Sequence, residues 1–185
     1  MNPEVRLDKF ENQWYKSGKN FLIRTAWYFL NGILINSYLI PMSSFKVLIL
    51  RLFGAKIGKN VIIKPMVNIK YPWRLSIGDN SWIGENVWID NLADVNIGDN
   101  CCISQDAMLL TGNHNYKRSN FDLMIGKINI CSGAWVGARS TVCPGVTLGK
   151  SSILSVGSVC SSNIDENLIY RGNPAVSVKT RIIQE

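Results

Sequence analysis

The sequence predicts a mainly β fold: a parallel β-solenoid of about five coils, preceded by a helical segment and broken by one loop excursion. Three observations predict it. From Ile57 onward an aliphatic residue recurs every six positions, often followed by Gly, with a small residue four places on. Residues 1–53 show no such rhythm and carry long apolar runs instead. Between about 112 and 128 the rhythm lapses, and the lapse contains "TGNHNY" with His114, the only histidine of the chain.

The hexads fix the fold class. "IGKNVI" begins at Ile57, "IKPMVN" at Ile63, "IGDNSW" at Ile77, "IGENVW" at Ile83, "IDNLAD" at Ile89, "IGDNCC" at Ile97 and "ISQDAM" at Ile103. After the lapse "ICSGAW", "VGARST", "VCPGVT", "LGKSSI" and "LSVGSV" follow from Ile130, Val136, Val142, Leu148 and Leu154. A fixed short period is the signature of stacked solenoid coils. Each hexad supplies one short strand and one turn. The aliphatic residue points inward, and the small residue fits a crowded interior. Gly after the aliphatic is expected to supply the positive φ of a tight corner. Three hexads close a triangular coil, and about five coils at the strand spacing make a stack of roughly 24 Å. The starts at Ile57, Ile77 and Ile97 are twenty apart, which reads as three hexads plus a two-residue corner insertion. The solenoid is expected over residues 54–165.

The segment before it has no charge between Arg24 and Lys46. That length could span a membrane, but Asn31, Gly32, Asn36, Ser37 and Pro41 interrupt it. The reading is one helix over 21–40, stopped by Pro41, and a second over 43–53. These helices are expected to pack on the solenoid or a neighbouring subunit, since an open solenoid end exposes strand edges. Interfacial attachment to a membrane is the alternative, because the runs are apolar and flanked by Lys and Arg. Residues 166–185 read as a basic tail that the "GNPA" turn throws back across the coils.

Composition excludes several classes. The net charge is +7 with no run of five or six Lys/Arg, so anionic small partners fit and a nucleic-acid arm does not. The five cysteines, Cys101, Cys102, Cys131, Cys143 and Cys160, form no C-x-x-C pair. With one histidine they make no zinc set, so no metal is expected. Their odd number and the lack of a cleavable signal peptide point to reduced thiols in a cytoplasm, with a peripheral contact at the inner membrane face as an alternative.

The hexads over residues 54–185 resemble those of the hexapeptide-repeat acyltransferases. "LRLFGAKIGKNVIIKP", "YPWRLSIGDNSWIGENVWIDN", "TGNHNY", "FDL" and "YRGNPAVSVKTR" are most similar to the colanic-acid-biosynthesis acetyltransferase group. Maltose and galactoside O-acetyltransferases resemble the chain more distantly. The resemblance implies a left-handed parallel β-helix, an acetyl-CoA-dependent enzyme, and a homotrimer with sites between subunits. It implies His114 as the general base. A neutral imidazole can accept a proton from a hydroxyl, and the resulting oxygen attacks the thioester of acetyl-CoA. Asn113 is expected to replace the small inward residue of the hexad that starts at Leu109, just where the chain leaves the coil.

Further site residues are expectations of the same kind. Asp90, Asn113, Tyr116 and Asp122 are assigned to the acceptor side, with Asp122 either orienting His114 or holding loop geometry. Trp135 and the corner amides of Ala138 and Val156 are assigned to the pantetheine arm of the donor. Lys179 and Arg181 suit the CoA phosphates. Trp82, Trp88 and Trp135 share one hexad phase and are expected at the trimer contact. The acceptor is read as a small-molecule or lipid-linked saccharide. Transfer to an amino sugar nitrogen and a non-catalytic scaffold remain alternatives at this point.

Overall fold

The structure, a computed structural model, describes residues 4–184. Its body is a three-faced parallel β-solenoid. Face one stacks Lys56–Ile57, Leu75–Ile77, Val95–Ile97, Ile128–Ile130 and Thr147–Leu148. Face two stacks Ile62–Ile63, Trp82–Ile83, Cys102–Ile103, Trp135–Val136, Ile153–Leu154 and Leu168–Gly172. Face three stacks Asn68–Ile69, Trp88–Asp90, Met108–Leu110, Thr141–Val142 and Val159–Cys160. Every coil-to-coil pairing is parallel and in register, as in Ile57 with Ile77 and Ile77 with Ile97. A further partial coil follows, in which Ile164 bridges Leu148 and Leu168–Gly172 pairs with face two. The solenoid therefore has about six turns rather than about five. The last turn escaped the periodicity because "SSNIDENLIY" carries no hexad. Ala175–Thr180 folds back antiparallel on Leu168–Gly172 and closes that end.

The interior confirms the hexad chemistry. Every aliphatic start from Ile57 to Leu154 is buried. So is every small residue four places on, including Val67, Ala107 and Ser140. The glycine after the aliphatic has a different role from the one expected. Gly58, Gly78, Gly84, Gly98, Gly137 and Gly149 do not adopt positive φ; a Cβ there would lie within 3 Å of the next coil. These glycines allow close approach of the stacked backbones. Positive φ falls two residues later, on Asn60, Asn80, Asn86, Asn100, Asp106 and Gly157 among others. Asn and Asp tolerate that region best of the residues with side chains.

N–H groups at the strands donate to the strand carbonyls of the next coil, as in Gly58 N to Ile77 O at 2.8 Å, whereas those at the turns donate back, as in Asn80 N to Lys59 O at 2.8 Å. The first coil's carbonyls at the strands are thus left without a coil below, and a buried orphan carbonyl costs about 1–3 kcal/mol. The N-terminal helices α1 (Phe21–Leu30) and α2 (Ser43–Leu52) meet that need. Trp27 Nε1 donates to Ile69 O at 2.8 Å, Lys46 Nζ to Lys64 O at 2.9 Å, and Arg51 to Ile57 O at 2.7 Å. Trp27, Ile35, Val47 and Leu50 join the solenoid core. Lys46 is fully buried, and burial pulls its pKa below the usual lysine range.

The first helix is shorter than the sequence suggests. After Leu30 it widens into a π-helical turn, Asn31–Ile35, and stops there rather than at Pro41. The Asn31 side chain turns away to bond Asn68 Oδ1 and Ile69 N on the first coil, which ties the chain down at this point. The outer sides of both helices leave Phe21, Leu22, Tyr28, Phe29, Leu48 and Leu52 exposed. No helix among the described residues is long and apolar enough to cross a membrane.

All three insertions into the hexad pattern leave from one corner, between face three and face one. The first holds Pro72–Arg74, the second Leu92–Asp94, and the third the excursion from Thr111 to Lys127. Ahead of the helices, residues 4–20 form an arm whose one helical element is the short 3-10 turn Leu7–Lys9. It runs along this corner, where Tyr15 Oη donates to Leu92 O at 3.0 Å and Trp73 Nε1 donates to Ser17 O at 2.7 Å.

Candidate active site

The excursion is a β-hairpin, not an irregular loop. Gly112–His114 pairs antiparallel with Leu123–Ile125, and His114 faces Leu123 across it. Its root is held by Thr111, which is fully buried. The Thr111 hydroxyl donates to Asp90 O and accepts from Ala93 N, both at 2.9 Å. The inward polar residue at this corner is thus Thr111. Asn113 was expected there, but it lies exposed on the hairpin, and its Oδ1 accepts the His114 N–H at 2.8 Å. The reason is that the chain departs from the coil two residues earlier than the hexad count implies.

His114 Nδ1 lies 2.9 Å from the carbonyl oxygen of Phe121. A carbonyl can only accept, so Nδ1 carries the hydrogen. In the neutral ring the lone pair then sits on Nε2, which has no hydrogen-bond partner among the described residues. The imidazole also stacks on the Phe121 ring, with centroids 4.5 Å apart and planes 5° from parallel. Phe10 of the arm packs on it from 5.6 Å at 58°. Phe121 has φ +52°, a left-handed conformation that costs a bulky residue about 1–2 kcal/mol. Within the same turn its carbonyl meets Nδ1 and its ring stacks on the imidazole.

The other acceptor-side residues are dispersed. Asp122 does not touch His114; its carboxylate pairs with Arg118 at 3.2 Å and its carbonyl accepts from Asn115 N, so it holds the hairpin tip. Tyr116 is 76 % exposed and lines neither the cleft beside face three nor the one between the arm and the hairpin. Asp90 lies 2.8 Å from Lys70 Nζ, in an orientation that gives an ion pair without a hydrogen bond. With Tyr71, Trp88, Arg24 and α1 it lines a cleft of about 810 Å³ beside face three. A smaller cleft of about 550 Å³ lies between the arm and the hairpin, with Trp14, Asn115 and Asp122 in its wall.

The donor-side residues sit elsewhere. Ala138 and Val156 occupy equivalent turns of successive coils, between face two and face three. Gly157 N donates to Ala138 O at 2.9 Å, while the N–H groups of Ala138 and Val156 have no partner among the described residues. Trp135 is half-exposed one turn earlier, its Nε1 donating to Ser104 Oγ at 2.8 Å. Lys179 is exposed on the terminal strand. Arg181 is committed in part: its Nη1 donates to Gly133 O and Ser151 O at 2.9 and 3.1 Å. The His114 hairpin and the Ala138–Val156 turns thus leave from different corners, separated by all of face three. Trp82 and Trp135 share face two, but Trp88 lies on face three, so the three tryptophans do not form one patch.

All five cysteines are free, and burial raises the pKa of Cys101 and Cys143 and pushes that of Cys160 up to about 11.

WcaF of Escherichia coli K12, named as a colanic acid biosynthesis acetyltransferase, is 39% identical over 141 residues, 76% of this chain and 78% of that protein. The chain belongs to the hexapeptide-repeat acetyltransferases. No family model matches it. The galactoside O-acetyltransferase of the same organism is 32% identical over 134 residues, 71% of this chain and 64% of that one. Among solved structures, the hexapeptide-repeat acetyltransferase VCA0836 of Vibrio cholerae superposes with a TM-score of 0.78 at 22% identity, covering 86% of this chain and 90% of that one. A galactoside acetyltransferase in complex with coenzyme A gives 0.76 at 25% identity, covering 86% and 80%. The protein is therefore an acetyltransferase, and its hexads, corner turns and hairpin are to be read as parts of that enzyme.

Proposed function

We propose that the enzyme transfers an acetyl group from acetyl-CoA to a saccharide hydroxyl, with His114 as general base. The observation that carries this reading is the hydrogen bond from His114 Nδ1 to the Phe121 carbonyl. It leaves Nε2 with the lone pair needed to take the hydroxyl proton. As that proton moves to Nε2, the sugar oxygen bonds to the thioester carbonyl carbon. The tetrahedral intermediate collapses with cleavage of the C–S bond. The CoA thiolate recovers the proton from Nε2, which returns the imidazole to its neutral form. Related proteins named for galactoside acetylation and colanic acid biosynthesis support a saccharide acceptor, and the relative seen with coenzyme A supports the donor.

On the donor side the free amides of Ala138 and Val156 suit the carbonyls of a pantetheine arm, and Trp135 offers an apolar wall. Lys179 supplies a cation for the phosphates. Arg181 has less freedom for that task, because two coil carbonyls already hold it. Asp90 and Asn113 are assigned to acceptor contacts, while Tyr116 and Asp122 act there only by shaping the hairpin tip.

The separation of the two halves supports a homotrimer. A face of the coil is roughly 15–20 Å wide by strand rise, whereas transfer needs reacting atoms within about 3.5 Å. A neighbouring copy would bring its donor turns to the His114 hairpin of the first, in a closed heterologous arrangement. Thiol release from acetyl-CoA, followed with a panel of mono- and oligosaccharides, tests the activity. Sugar-dependent release with a product bearing an acetyl ester is expected. Release only with amino sugars, giving an amide, would reassign the acceptor to nitrogen. Light scattering at micromolar concentration should give three times the chain mass, and a monomer would remove the shared site.

A further inference from the structure

We propose that the N-terminal arm is part of the active site, and that Phe10 is a positioning residue for His114. This rests on the reading of His114 as the base. The arm meets the hairpin twice. Arg6 N donates to Ser119 O at 2.6 Å, and the Phe10 ring packs on the imidazole at 5.6 Å. It is seated by the two earlier insertions of the same corner. Arg74 donates to Leu92 O at 2.6 Å and also to Lys16 O, and its guanidinium lies 5.5 Å above the Tyr15 ring. Tyr15 in turn donates to Leu92 O, and burial pushes its pKa up to about 12, so it remains a donor at physiological pH. The corner insertions thus form one track. Pro72–Arg74 and Leu92 hold the arm, and the arm delivers Phe10 to the histidine more than a hundred residues away in sequence.

The need for such a contact is physical. One hydrogen bond and one stacked ring, both from Phe121, fix the imidazole. A half-turn of the ring about its Cβ–Cγ axis would exchange Nδ1 with Cδ2 and Nε2 with Cε1, which breaks the bond to Phe121 O, frees the tautomer and turns Nε2 away. Phe10 adds an aromatic contact worth about 0.5–1.5 kcal/mol, comparable to the single hydrogen bond. The nearby charges do not compete for the role, because Arg6 pairs with Asp8 and Arg118 with Asp122. Glu4, Lys9, Glu11, Lys16, Lys19, Lys117 and Lys127 are the other charged groups on these two elements, and all seven are exposed.

The single histidine makes the test direct, since nitrogen NMR of the imidazole in the full chain reports one residue. In mildly alkaline solution the wild type should show Nδ1 protonated and Nε2 bare. Phe10→Ala should give a mixture of both tautomers and a kcat lower by about ten- to a hundredfold, with the KM for acetyl-CoA unchanged. Phe10→Tyr should restore both readings. Wild-type tautomer in Phe10→Ala would overturn the proposal, and so would a loss of kcat without a change of tautomer. If Phe10→Ala fails to fold, Phe10→Leu, which keeps most of the volume but not the ring, decides by the same two readings. Should no saccharide prove to be an acceptor, the tautomer reading still judges Phe10, so the two failures are distinguishable.

Discussion

Gly137→Ala tests the stacking and the donor site together. A methyl group at Gly137 would lie 2.6 Å from Val156 N and 2.7 Å from Leu154 O. Ordinary contact begins near 3.4 Å, so the fourth and fifth coils must separate locally by about 0.8 Å. The Gly137 N to Leu154 O bond, now 2.7 Å, would then be lost. Overpacking costs about 1–3 kcal/mol and the hydrogen bond about 0.5–1.5 kcal/mol. Together they lower the melting temperature by roughly 3–18 °C for a domain of this size. The displaced residues, Ala138 and Val156, are those assigned to the pantetheine arm, so the KM for acetyl-CoA should rise as well. Gly145→Ala is the control. It has φ +83° and nothing within 4 Å of the added carbon, so it brings only conformational strain of about 1–2 kcal/mol. Thermal unfolding by circular dichroism and donor KM, measured on both variants, make the comparison. A Gly137→Ala protein as stable as wild type, or one whose KM matches that of Gly145→Ala, would refute this account of the corner.

Two other outcomes follow from the same structure. Among the described residues Lys46 is buried against a single carbonyl with no carboxylate partner, so Lys46→Met should leave stability unchanged or raise it by about 1–2 kcal/mol. Because its folded pKa is depressed, the unfolded chain binds more protons above that pKa, and wild-type stability should climb with pH up to the ordinary lysine range while Lys46→Met lacks this slope. Lys179→Ala should raise the KM for acetyl-CoA with little effect on unfolding, whereas Arg181→Ala should also lower the melting temperature, since it releases two coil carbonyls.

The fold was legible because the solenoid asks one thing of each hexad position. An aliphatic residue and a small one must point inward, and both classes are visible in sequence from Ile57 to Ser158. The special positions were misread where one residue type serves two needs. Gly after the aliphatic could answer either positive φ or close approach, and the residue type alone does not say that Gly58 serves close approach while Gly157, two hexad positions further on, carries the positive φ. Hexad phase says that Trp82, Trp88 and Trp135 point outward, but not that Trp88 faces a different way. His114 stood out because it breaks a repeat. Its partners did not, since a backbone carbonyl such as that of Phe121 leaves no trace in composition, and the sequence links Phe10 to His114 by no pattern. The π-helical turn at Asn31–Ile35 was hidden for a similar reason: it depends on contacts with the first coil rather than on local propensity.

The central claim is that His114 moves the proton while other residues hold the donor. The most direct measurement is acetyl transfer by His114→Ala to a working saccharide acceptor, beside acetyl-CoA binding by calorimetry. The account predicts a kcat lower by about 10²- to 10⁴-fold, the usual worth of a positioned base, with acetyl-CoA affinity unchanged. Near-normal transfer by His114→Ala would contradict it and leave the hairpin as an acceptor-binding element alone.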